Sequence, residues 1–178
     1  MKIRTLVFSL ITLSFLGSLF AVEPGSNSYG KAILDSLQRS GLVKLNGTSI
    51  KEKLQVSGSL IANDADIGFL DIMGDANLSD TVVHQDSTIM GSFQASRSQF
   101  EKPITLLSHR ALFTACKLDS IIIQKDLACK VKQVIELKQK TIVSGSIHFE
   151  SGKGEVILAP GSKINGTVTG GKIIQRPH

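Results

Sequence analysis

Apolar and small residues recur along this chain in steps of two, interrupted by steps of three. From Val56 the series runs Val56, Gly58, Leu60, Ala62, Ala65, Ile67, Leu70 and Ile72. A step of two keeps side chains on one face of a β-strand. A step of three changes face unless the chain turns there, so each three reads as a corner. Turn-type residues lie around the corners: Asn63-Asp64, Gly68, Asp75 and Ser79-Asp80. The pattern returns after about seventeen residues, with an aliphatic residue two places before a glycine. Val56-Gly58, Ile72-Gly74, Ile89-Gly91, Val143-Gly145 and Ile164-Gly166 all fit it. A second column of small residues runs Ala65, Thr81, Ser98 and Cys116.

Self-similarity at a fixed short period means stacked units, each too small to bury its own apolar face. The prediction is an all-β parallel β-helix, or β-solenoid, with one short strand per face of each coil. An antiparallel sandwich is the competing architecture, and several columns matching at once argue against it. The stacked glycines imply a bend or a close backbone approach.

The ends and one internal stretch depart from the repeat. Residues 22–41 are expected to form a leader and a short capping helix, with Ala32, Ile33, Leu34 and Leu37 as its apolar patch and Gly41 as its stop. The solenoid domain is expected over 42–178, with an irregular insertion at about 124–141. Loops that project from a regular scaffold are where binding commonly sits. No cap is evident at the C-terminus, where an uncovered coil would leave strand edges open.

Composition supports a thin core: 178 residues with no Trp, one Tyr and 16 Gly, its interior built from aliphatic residues. Lys2 and Arg4 followed by the apolar run to Phe20 read as a signal peptide over 1–21, cleaved after Ala21. This places the mature chain in the bacterial periplasm or outside the cell. The alternative is an inner-membrane anchor formed by the same segment left uncleaved. Charge is uneven. Residues 22–100 carry six basic and nine acidic side chains, and residues 101–178 carry twelve and six. Opposite halves could favour end-to-end contact, and the basic half suits an anionic glycan or surface polymer. Lys125, Lys130, Lys132, Lys138 and Lys140 on the irregular stretch are the candidate cations. A nucleic-acid partner is not expected, because no basic and aromatic patch is present.

No catalytic site, metal site or cofactor is expected. His84, His109, His148 and His178 share no ligand spacing, and no nucleophile elbow or phosphate loop occurs. Asp64, Asp66, Asp71, Asp75, Asp80 and Asp86 read as a solvated turn face. Cys116 and Cys129 could pair in an oxidising compartment, or Cys116 could stay a packed thiol in its small column.

Val56, Gly58, Leu60, Ala62, Ala65 and Ile67, repeated as Ile89, Gly91, Phe93, Ala95, Ser98 and Phe100, resemble the polymer-forming β-helix proteins called bactofilins. The resemblance covers roughly residues 45–123 and, more weakly, 142–174. It implies a right-handed, three-sided β-helix that stacks end to end and scaffolds envelope machinery without a nucleotide. The export signal and the disrupted coil depart from that family, which is cytoplasmic. The stricter six-residue pattern of the hexapeptide acyltransferases is not seen. The expected function is therefore a non-enzymatic structural scaffold or assembly subunit of the cell envelope, partnered by itself or by an envelope complex. A binding module for an anionic glycan is the alternative, and a polysaccharide-active enzyme is a third reading.

Overall fold

The computed structural model describes residues 25–127 and 131–176. They form a parallel β-solenoid of about nine turns, with no helix among them. Every strand pairing is parallel and joins one coil to the next. Each coil contributes to three columns of strands, here called faces A, B and C.

Face A stacks Val43, Leu60, Ala76, Phe93, Ala111, Ile135, Val156 and Ile173 in one vertical row. Face B stacks Ile50, Ile67, Val83, Phe100, Leu118, Val143 and Ile164. Face C stacks Val56, Ile72, Ile89, Leu106, Ile123 and Phe149. These inward residues form one continuous core, almost all fully buried away from the two ends. Volumes alternate between coils. Ala76 and Leu78 lie beside Phe93 and Ala95, which lie beside Ala111 and Phe113. The large rings thus meet small neighbours, and Phe93, Phe100 and Phe113 pack edge to face at 5.4–6.5 Å between centroids.

The small column continues in both directions as Thr48, Ala65, Thr81, Ser98, Cys116, Thr141 and Ser162, all buried. Its composition has a second cause beyond space. The corner from A to B passes through the left-handed region at Gly47, Asp64, Asp80, Arg97 and Ala115. That turn leaves the carbonyl just before it without a ladder partner on the inside. Thr81 and Ser98 donate their hydroxyls to Ser79 O and Ser96 O, two residues back, at 3.0 and 2.9 Å. Thr141 donates to Lys138 O at 2.6 Å. A small donor therefore satisfies a buried acceptor that an alanine would leave open.

Four sequence expectations change. The helix over 28–41 is absent: Gly25–Tyr29 and Ala32–Leu34 are strands, and Leu37–Asn46 is a third. Ala32 and Leu34 sit over Thr48 and Ile50, while Ile33 points outward and is 71 % exposed. Parallel pairing overrides the apparent helical spacing, so the solenoid begins before residue 42. Residues 22–24 of the expected leader, and the signal segment 1–21, lie outside the described residues. Second, the irregular stretch is shorter. Gln124–Gln133 leaves the walls, but Val134–Lys138 rejoins face A between Arg110–Thr114 and Gly154–Leu158.

Third, the glycine triplets form two columns. Gly58, Gly74 and Gly91 share the corner from C to A, with φ near +137°. Gly145 and Gly166 stack on each other at the corner from B to C, and Val143 and Ile164 lie on face B. An aliphatic inward residue followed by a glycine corner occurs at both places, so the triplet alone does not tell them apart. Fourth, coil length varies. Face A partners are 16 or 17 residues apart from Gly25 to Gly91, then 18, 24 and 21 from Phe93 through Ala111 and Ile135 to Val156. The first lengthening replaces the corner glycine with Ser108, whose hydroxyl donates to Arg110 O and accepts from Arg110 N.

Candidate functional site

Two places in the rod are chemically distinct from a repeated wall. The first is the C-terminal end. The strands Lys163–Ile164, Val168–Thr169 and Gly171–Gln175 each pair on one side only. Ile164, Val168 and Ile173 occupy inward positions, yet none is buried, and Ile173 is 47 % exposed. Nothing among the described residues covers them. The other end differs. There the inward positions over Leu45 and Val56 are filled by Tyr29 and Arg39. Arg39 Nε donates to the Tyr29 hydroxyl at 2.9 Å, and its Nη1 donates to Gln38 O at 2.8 Å. The first coil thus ends in a polar plug and the last in an aliphatic opening.

The second place is the outer side of face A in the last coils, where the lengthened turns occur. Glu136 is only 2 % exposed and is contacted by Arg110 through its guanidinium and by Lys138 Nζ at 3.0 Å. The Lys138 contact is a charge pairing at Oε2 without good hydrogen-bond geometry. Burial pushes the Glu136 carboxyl up, but Lys138 and Arg110 outweigh it and hold it below its ordinary value. Glu155 is held below its ordinary value by the hydrogen bond from Lys132, against some burial, with Lys172 adding to it. Lys132 Nζ lies 2.5 Å and Lys172 Nζ 3.2 Å from the same Glu155 oxygen. Each carboxylate is therefore matched by two cations. Beside them lies a groove of about 670 Å³ lined by Met90, Leu107, Leu112, Gln94, His109 and Asp126.

The five lysines singled out in the sequence do not form one cluster. Lys132 and Lys138 join the carboxylates just described. Lys125 is exposed on the loop, where its backbone N–H donates to Glu150, and Lys140 lies in the A-to-B corner at φ 63°. Lys130 lies outside the described residues. Arg110 and Lys172 were the missed members. The cue for them was register: they flank Val134 and Glu155 in one outward row, which no linear spacing reveals.

No family model matches the chain, and no curated protein or solved structure matches it. The columns that resemble bactofilins do stack as vertical rows, which is a property of a parallel β-solenoid rather than of one family.

The remaining candidates have structural surroundings. Cys116 is a free thiol, buried in the small column, and burial pushes its pKa up; Cys129 lies outside the described residues. Among the described residues no group of three or more His, Cys, Asp or Glu could hold a metal ion. His148 bonds Thr169 and His109 approaches Asp126 at 3.3 Å. His178 is outside the described residues. His84 is clamped between coils, its Nε2 3.0 Å from Asp66 and its Nδ1 3.0 Å from Glu101. The Asp66 hydrogen bond, then that of Glu101, raises the imidazole pKa above its ordinary value. A raised folded-state value gives stability that is complete below the ordinary imidazole range and is lost as pH climbs through the folded value. His84→Gln should therefore lower the melting temperature at pH 5.5 and leave it almost unchanged at pH 9. The effect should stay below about 1 kcal/mol, because the cluster is exposed. Equal losses at both pH values would refute the charged clamp.

Proposed function

We propose that this chain is an exported, non-enzymatic structural subunit of the bacterial cell envelope that assembles through its C-terminal coil. The observation that supports this reading is the open end. Ile164, Val168 and Ile173 have the inward register of a core but no coil beyond them. Three unpaired strand edges surround them, and such edges template further strand pairing. A partner must offer a coil of the same triangular cross-section to engage all three edges at once. A second copy of this chain offers one. The bactofilin-like, right-handed coil and the scaffold role enter as parts of this reading, and so does export through the leader at 1–21.

The test is light scattering on size-exclusion fractions across protein concentration and salt. The full mature chain should form dimers or larger assemblies. Replacing Val168 and Ile173 together with asparagine should give a monomer with an unchanged circular dichroism spectrum, because both positions are already partly exposed. A wild-type monomer at every concentration and salt would overturn the proposal.

A further inference from the structure

We infer that the outer side of face A in the last coils binds a linear anionic polysaccharide. The inference does not depend on self-assembly.

Glu136 and Glu155 lie on neighbouring strands, Val134–Lys138 and Gly154–Leu158, with Glu155 beside Val134. Two carboxylates set into an outer wall cost solvation, and each is offset by cations. One cation apiece would suffice for charge balance. Each has two, so a single positive charge is left over at each level. The spare donors face water: Arg110 is 70 % exposed and Lys172 69 % exposed. A further cation stands beside the second level. Lys132, Lys153 and Lys172 line one cleft of about 530 Å³ whose floor is Gly152, Gly154, Gly170 and Gly171. Lys153 makes no ion pair among the described residues. The excess charge therefore forms a stripe that climbs the rod by one coil, about 4.8 Å, per level. Repeated charge along a line fits a polymer with one anionic group per unit better than a single small anion.

The stripe continues into the groove at Arg110, and that groove has the chemistry of a sugar site. Met90, Leu107 and Leu112 give it an apolar floor, while Gln94 and Ser92 offer amide and hydroxyl groups. A pyranose ring has an apolar face and a rim of hydroxyls, so both are used. A lipid headgroup would use the cations and leave the groove idle. The carboxylates act as positioning residues, because they hold the long basic side chains at set heights and lessen the rotamer entropy lost on binding.

The experiment is titration calorimetry of the mature chain, in the Val168→Asn and Ile173→Asn background to keep it monomeric, with polygalacturonate, neutral dextran, inorganic phosphate and phosphatidylglycerol vesicles as probes. Polygalacturonate should bind and dextran should not. Changing Lys132, Lys153 and Lys172 together to glutamine should weaken binding about 100-fold, roughly fivefold per cation. The same charge removed at Lys44, Lys51 and Lys117, on other parts of the rod, should change affinity less than about threefold. Glu155→Gln should weaken binding even though it makes the surface more positive. Equal losses in both lysine triples, tighter binding by Glu155→Gln, or binding only to phosphate or to vesicles would each overturn the assignment.

Discussion

Replacing Phe113 with alanine is expected to cost about 3–5 kcal/mol, the largest effect of any single truncation in the core. Phe113 is fully buried and sits at the centre of the only cluster of three rings among the described residues. Its neighbours cannot collapse into the space. Ala95 and Leu137, which flank it in the row, belong to coils held in register by hydrogen bonds on all three faces. The cavity should therefore persist, and urea unfolding should show a lower midpoint. Phe113→Leu should recover about half of the loss, since most of the volume returns while the edge-to-face contacts do not. A loss under about 1 kcal/mol for Phe113→Ala would mean that the middle coils are not packed as described.

Gly74→Ala should rival it, for a different reason. Gly74 adopts φ 136°, a region essentially confined to glycine. A Cβ there would run into the carbonyl oxygen of Gly58 in the coil below. That atom is backbone and cannot swing aside, so the coils must part and ladder bonds must lengthen. Strain and overpacking together predict a loss of about 2–6 kcal/mol. Gly152→Ala is the internal control. Gly152 also has positive φ, at 69°, but a Cβ there meets nothing within 4 Å. It should lose only about 1–2 kcal/mol, the ordinary left-handed penalty. The two melting temperatures, compared directly, separate close approach from dihedral preference. Similar losses at both sites would remove the stacked-glycine account.

The repeat was legible because each inward row is written into the sequence at the coil period. Val56, Ile72 and Ile89 could be aligned by eye, and the structure stacks them. Three things were not legible. Ala32 to Leu37 carries an apolar spacing shared by a helix and by a strand with a corner, and only pairing with Thr48 to Ile50 decides between them. Val143-Gly145 copies the local pattern of Val56-Gly58 while lying on another face, because two corners of the prism both need a glycine. Arg110 and Lys172 are 26 and 36 residues from the carboxylate partners nearest the other end of the row, and coils of 24 and 21 residues shift the register that would have linked them. Regular coils announce their neighbours; lengthened ones hide them. The candidate surface lies where the coils lengthen.

Hydrogen bonds between coils run along the rod, and one covalent strand joins each turn to the next. Nine levels span roughly 40 Å. Pushing on such an object squeezes stacked walls that are already in van der Waals contact. Pulling on it loads the terminal ladder first, and turns can peel away one after another. Mechanically the molecule is a strut and a poor cable, suited to holding two surfaces apart at a fixed distance.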